Sequence, residues 1–312
     1  MKLPEKYNGL GYQNLISMVF DLMGFRDDWM REGKAKDTNT VIEPMHLVLV
    51  EEPEAHLHIQ VQQVFIRQAY KVLTNHKFLK QNLNFTTQLV ISTHSSHIAI
   101  ETTFGNLRYF KRLPEGTECA VATSKVINLS DVFGDSDQTN KFVTRYLQST
   151  HCDLFFADAA ILVEGVAESM LLPHFIRSKF PELYQRYITI LGVNGRHAHR
   201  LSPLIEKLCL PTLVITDLDP AEKEGYHKSV VLKRGEGQIS GNYAIAKWLM
   251  KEKDIDKLVD YSEDKKEFSF ASPYRFSIRL AYQTPVKVDF EGEEKEAIPG
   301  TFEDCLIYTN YD

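Results

Sequence analysis

Two apolar runs in this chain stop abruptly on acids, and nothing else in the sequence constrains the fold as much. One is Ile161-Leu162-Val163-Glu164, continuing Gly165-Val166-Ala167-Glu168; the other is Leu213-Val214-Ile215-Thr216-Asp217-Leu218-Asp219. A short continuous apolar run between helical patterns is the signature of a strand buried on both faces, as in a parallel α/β sheet. Open sheets of that kind gather their chemistry at the carboxyl ends of the strands. Glu164 ends the first run, and Glu168 lies four residues on, along one face of a helix that starts promptly. Asp217 and Asp219 differ by two and project to the same side of an extended backbone. Crowded carboxylates repel one another unless a cation sits among them, and hard divalent ions such as Mg²⁺ take such oxygen ligands. The four acids therefore predict a metal site acting on phosphates.

The rest of the chain repeats the alternation. Helical spacing predicts a helix over 12–25, followed by a polar surface loop over 26–43. His46–Val50 reads as a strand, 56–75 as a helix and Gln88–Ser92 as a second buried strand. Leu107–Lys111 and Ala120–Ile127 form a β-pair joined through Pro114-Glu115-Gly116, and 137–150 is helical. From Ala160 a new unit opens, with strand 160–163, helix 167–179, strand 187–193, helix 200–208 and strand 212–216. Strand alternating with helix predicts a parallel sheet. The boundary falls near 150–158, dividing the chain into 1–150 and 151–312. Past about residue 260 the charged tail carries strands near 276–282 and 285–290.

Composition excludes several classes. The 312 residues suit about two domains. No apolar run approaches the ~20 residues of a membrane span, and Met1-Lys2-Leu3-Pro4-Glu5-Lys6 lacks the apolar core of a secretory signal. Cys119, Cys152, Cys209 and Cys305 are scattered, as expected of reduced thiols in a cytoplasmic protein. A net charge of −6 argues against a general DNA-coating protein but not against a nuclease, which needs only a local basic patch.

His46-Leu47-Val48-Leu49-Val50-Glu51-Glu52-Pro53 is another apolar strand ending in acid. In phosphoryl-transfer sites one such acid holds Mg²⁺ and the next polarises the attacking water. With Glu54-Ala55-His56-Leu57-His58 and the later Ser92-Thr93-His94-Ser95, it resembles the ABC-type ATPase head shared with SMC and RecF-like proteins. Glu51 and Glu52 resemble Walker B with its catalytic glutamate, 54–58 the D-loop, and His94 the switch histidine. Asn8-Gly9-Leu10-Gly11-Tyr12-Gln13 resembles the signature motif, whose glycines let backbone approach a phosphate at a helix N-terminus. The resemblance assigns Gly9, Gly11, Gln13, Glu51, Glu52 and His94 to a nucleotide. No GxxxxGK followed by Ser or Thr occurs, and Gly192-Val193-Asn194-Gly195-Arg196 is too short for one. The chain thus reads as the second lobe of a head, truncated or split. ATP is expected only with a phosphate-cradling lobe or a partner that supplies one, and residues 1–312 alone are expected to show no appreciable ATPase.

Val163-Glu164-Gly165 and Asp217-Leu218-Asp219 resemble the marks of the Toprim domain of topoisomerases, primases and certain nucleases. An ABC-type head followed by Toprim resembles the OLD (overcoming lysogenisation defect) nucleases. Asp153-Leu154-Phe155-Phe156-Ala157-Asp158 and Gly192-Val193-Asn194-Gly195 add to that likeness, which covers roughly 8–312. The fold class implied is α/β, a partial ABC-type lobe followed by a Toprim-like parallel sheet. The activity implied is DNA nicking or cleavage with a Mg²⁺ or Mn²⁺ pair, in a homo-oligomer, dimer or higher, with a role in anti-phage defence. Two ions about 4 Å apart activate water and stabilise the leaving oxygen. Glu164, Glu168, Asp217 and Asp219 are the expected ligands, with Glu164 and Asp217 central to catalysis. Glu303, in Gly300-Thr301-Phe302-Glu303-Asp304, resembles the family's late acidic motif and is assigned to the second ion ahead of Asp304. Lys287 is the candidate for the family's late lysine at the scissile phosphate.

Arg196, His197, His199 and Arg200 form a basic cluster that is either a phosphate contact or a solvated helix start. Two other functions stay open at this point. One is nucleotidyl transfer of topoisomerase or primase type, for which the scattered cysteines supply no zinc module. The other is an ATP-gated clamp or regulatory subunit in which Toprim is a scaffold.

Overall fold

A computed structural model of the chain describes residues 9–32, 41–82, 84–113, 115, 121–130, 132, 146, 152–193, 197–223, 230–271, 274–290 and 292–310. The helix expected over 137–150 lies outside them apart from Tyr146, as do Asn8, Pro114, Gly116, Cys119, Asn194, Gly195 and Arg196. The chain divides into two compact units, 1–107 with 147–152 and 108–146 with 153–312.

In the first unit, β1 (Met45–Glu51) pairs in parallel with β2 (Thr86–Ser92). Helices Leu10–Trp29 and Ile59–Thr74 build the core with β1 through Leu22, Val48, Val61, Phe65, Ala69 and Leu73. The first helix runs past the expected end at 25. Trp29 stacks on His46 with centroids 4.6 Å apart, and its Nε1 donates to the Glu43 carbonyl at 2.8 Å, so tertiary packing carries the helix on. The reading of β2 as a buried strand is corrected. Its residues alternate between half-buried and exposed, and Leu47 and Leu49 of β1 are exposed on the face opposite the helices. Among the described residues β1 and β2 pair only with each other, and helices cover one face.

The second unit opens with a hairpin, β3 (Arg108–Leu113) against β4 (Thr123–Asn128). Lys111 gives one reason it belongs here: its Nζ donates to the Leu208 and Cys209 carbonyls, capping the helix Ser202–Leu208. Strand β5 (Ala159–Val163) lies between β6 (Ile188–Gly192) and β7 (Thr212–Ile215), both parallel to it. Two short strands follow, β8 (Pro220–Ala221) with β9 (Ile239–Ser240). Strand β10 (Glu267–Phe270) is the antiparallel edge beyond β11 (Phe276–Ala281), which runs parallel to β7. The expected parallel sheet is therefore present with one antiparallel edge strand, in the order β10-β11-β7-β5-β6.

Leu162, Val163, Leu191, Val214, Ile278 and Leu280 are fully buried in this sheet. Each contributes about 1.5–3 kcal/mol through burial. The tail adds a hairpin, β12 (Val286–Phe290) with β13 (Glu293–Ala297), and the helix Phe302–Thr309. Among the described residues no helix is long and apolar enough to cross a membrane.

Candidate metal centre at the carboxyl rim of the sheet

Register brings the acids together. Leu162 of β5 stands opposite Val214 of β7, so Glu164 emerges beside Thr216 at the same rim. The Thr216 hydroxyl donates to Glu164 Oε1. Asn242, fully buried, donates from Nδ2 to Glu164 Oε1 at 2.7 Å and to Thr216 Oγ1 at 2.7 Å, and reaches Asp219 Oδ2 at 3.4 Å. Asp219 has φ 48, a left-handed conformation that aspartate tolerates better than most residues. Leu218 is wholly buried between the two aspartates, which keeps both partly exposed at the rim. Gln283, beyond the end of β11, donates from Nε2 to Asp217 Oδ1 and accepts from the Leu218 amide at 3.0 Å.

Burial and crowding act on these groups in the same direction. Asp217 is pushed up to about 7, first by burial and then by the charges of Glu164, Asp219 and Glu168, against the Gln283 hydrogen bond. Glu164 is also raised, because burial outweighs its bonds from Thr216 and Asn242 and Asp219 adds repulsion. Glu168, in the first turn of helix Val166–Lys179, is 4% exposed, and its Oε2 is buried without a hydrogen-bond partner. A Cβ on Gly165 would lie 2.4 Å from that oxygen. The Gly165 φ of −110 suits any residue, so this position needs the space rather than glycine's backbone freedom.

These observations test whether a divalent cation suits the residues present. An orphaned buried carboxylate oxygen is costly, the donors are hard oxygens, and the charges acting on Asp217 are those of other acids. That set fits Mg²⁺ or Mn²⁺. Among the described residues no three His, Cys, Asp or Glu side chains yet converge closely enough to enclose an ion. The neutral donors Thr216, Asn242 and Gln283 hold Glu164 and Asp217 instead.

The late residues are placed differently. Asp304 is occupied as the capping box of helix Phe302–Thr309, accepting from the Gly300 and Thr301 amides at 3.1 Å each. Cys305 on that helix is raised by burial and then by the nearby charges of Asp217 and Asp304, so the helix borders the acids. Glu303 is exposed and is not among the charges acting on Asp217. Lys287, exposed on the β12–β13 hairpin, is ion-paired with Glu294 at 2.6 Å. Thr216, Asn242 and Gln283 were not singled out from sequence. Gln283 follows an apolar run, and the turn-like Ser240-Gly241-Asn242 is the only local sign of Asn242.

The first unit assembles the other motif set. Glu51 ends β1 opposite Ser92 of β2. Glu52 takes φ 42, a strained conformation for a non-glycine residue, and its Oε1 lies 3.3 Å from His94 Nε2. Glu54 Oε1 accepts from Thr93 Oγ1 at 2.8 Å and from the His94 amide at 2.5 Å, tying the two loops together. Gly9 precedes the helix Leu10–Trp29, and its carbonyl accepts from the Tyr12 and Gln13 amides. A Cβ on Gly11 would meet the His58 amide nitrogen at 3.7 Å, whereas one on Gly9 would meet nothing.

Comparison with known families agrees with both halves. An AAA ATPase domain family matches residues 1–99, and an Overcoming lysogenization defect protein-like TOPRIM domain matches residues 155–219. The chain thus carries an AAA-type ATPase domain followed by an OLD-like TOPRIM domain, the combination that its motifs resemble. Among characterised relatives it is similar to Endonuclease GajA of Bacillus cereus strain HuB5-5, 29% identical over the whole of this chain and 43% of the relative. It is also similar to Endonuclease GajA of strain VD045, 24% identical over 70% of this chain and 33% of the relative. The chain spans less than half the length of either relative.

Proposed function

We propose that the chain is a divalent-metal-dependent DNA endonuclease of OLD type, with Glu164, Glu168, Asp217 and Asp219 as metal ligands. The observation that carries this reading is the buried, unpartnered Oε2 of Glu168 against the space left by Gly165, beside an Asp217 held near 7. The naming of both relatives as endonucleases supports it. A Mg²⁺ or Mn²⁺ pair bound there supplies an activated water and stabilises the leaving oxygen. Thr216 and Asn242 orient Glu164, Gln283 orients Asp217, and Asp217 exchanges a proton near neutral pH. Glu303 is assigned to the second ion, and Lys287 to the scissile phosphate once it leaves Glu294.

Gly9, Gly11, Gln13, Glu51, Glu52 and His94 are assigned to a nucleotide shared between subunits of a homo-oligomer. Residues 1–312 alone then show no appreciable ATPase. The setting proposed is cytoplasmic, in anti-phage defence.

Supercoiled plasmid incubated with the chain and Mg²⁺ or Mn²⁺ tests the nuclease reading. Nicked or linear product is expected, lost on chelation and in Asp217→Ala. Relaxation without nicking would establish a topoisomerase instead, and a gel shift of intact plasmid a clamp. Gly165→Ala forces the Glu168 carboxylate to move. It is expected to weaken Mn²⁺ binding about 10- to 100-fold by calorimetry, with little change in unfolding temperature. Unchanged Mn²⁺ affinity would remove Glu168 from the ligand set.

A further inference from the structure

A carboxylate-lined rim repels the polyanion it is meant to cut. In a chain with net charge −6, a DNA strand needs a local cationic or stacking surface beside the acids to be held there. Such a surface follows directly after Asn242. Tyr243 is 40% exposed, and Lys247 Nζ stands 4.2 Å from its ring centroid. The His199 ring meets the tyrosine edge-on, with centroids 5.4 Å apart. Among the described residues Lys247 has no carboxylate partner.

The segment is held in place on both sides. Asn242 Oδ1 accepts from the Ala244 amide at 2.9 Å, while its Nδ2 holds Glu164. Ala244–Leu249 is wound as a π-helix anchored by buried Ala244, Ile245 and Leu249, a rare geometry that concentrates at functional sites. Within it, Trp248 Nε1 donates to Glu206 Oε1 at 3.0 Å. Asn242 thus links the acids to an aromatic–cation pair.

We infer that Tyr243 and Lys247, flanked by His199, hold the DNA strand beside the scissile bond, the ring packing on a base or sugar and the ammonium pairing with an adjoining phosphate. The inference rests on the nuclease reading and adds the residues that position its substrate. Aromatic stacking tolerates any base, and each Lys–phosphate contact adds about one counterion to the salt dependence.

The test uses the full chain and a fluorescent single-stranded oligonucleotide with its duplex. Anisotropy is read in Ca²⁺ across salt concentrations, and KM and kcat are read in Mn²⁺. Tyr243→Ala is expected to weaken binding about 10- to 100-fold, more for the single strand, with the loss falling on KM. Tyr243→Phe restores it. Lys247→Ala weakens binding and lowers the slope of log affinity against log salt by about one; Lys247 is exposed, so this variant keeps the test decisive should Tyr243→Ala fail to fold. Wild-type KM and salt slope in Lys247→Ala overturn the platform while cleavage by the parent chain leaves the nuclease standing. A parent chain that neither binds nor cuts DNA overturns both.

Discussion

Asp217→Asn is expected to abolish DNA cleavage and, at pH 8 without metal, to raise the unfolding temperature. Folding moves this carboxyl from an ordinary 3.8 to about 7. The folded state therefore binds the proton more tightly, and the group's contribution to stability is complete below 3.8. It is lost as pH rises through 7, where a half-buried charge faces Glu164, Asp219 and Glu168. The full displacement corresponds to ~4 kcal/mol. Water still reaches part of the side chain, and screening reduces the expected gain to about 1–2 kcal/mol, or a few degrees. Asparagine removes the charge and keeps an acceptor for Gln283. Cleavage falls by roughly 10³-fold or more, because a metal ligand supplying several kcal/mol to the transition state is gone. Calorimetric unfolding and a plasmid assay of the same preparation check both halves. A variant less stable than its parent at pH 8, or still cutting, contradicts the account.

The second large effect is on metal affinity against pH. A ligand must lose its proton before it binds a cation. With Asp217 titrating at about 7 and Glu164 also raised, Mn²⁺ affinity is expected to climb about tenfold per pH unit up to neutrality and then to level off. Binding below pH 7 releases protons, which titration calorimetry in buffers of different ionisation enthalpy measures directly. In Asp217→Asn the climb flattens. An affinity in the parent chain that does not change between pH 5.5 and 8 rules out Asp217 as a ligand.

Much of this centre was legible because strand ends are local signals. Apolar runs that stop on Glu164 and Asp217 identify two buried strands, and parallel neighbours bring their ends to one rim. The supports were not legible for the opposite reason. Asn242 lies 78 residues from Glu164, and Gln283 lies 66 from Asp217. Asn242 is carried by a two-residue strand and a π-helix that leave no periodic pattern. The tail carries a local signal of another kind. Thr301 and Asp304 have the spacing of a capping box, and Asp304 fills that role rather than facing an ion. In β1 the continuous apolar run suggested burial on both faces, yet only the alternate residues His46, Val48 and Val50 turn toward the helices. Composition alone does not reveal which face of a strand is covered.

The most direct measurement is anomalous diffraction from crystals of the full chain soaked with Mn²⁺ at pH 8. The account predicts manganese peaks bounded by the carboxylates of Glu164, Glu168, Asp217 and Asp219, absent from Asp217→Asn crystals treated alike. A rim without manganese, in crystals whose protein cuts plasmid in the same buffer, would contradict it.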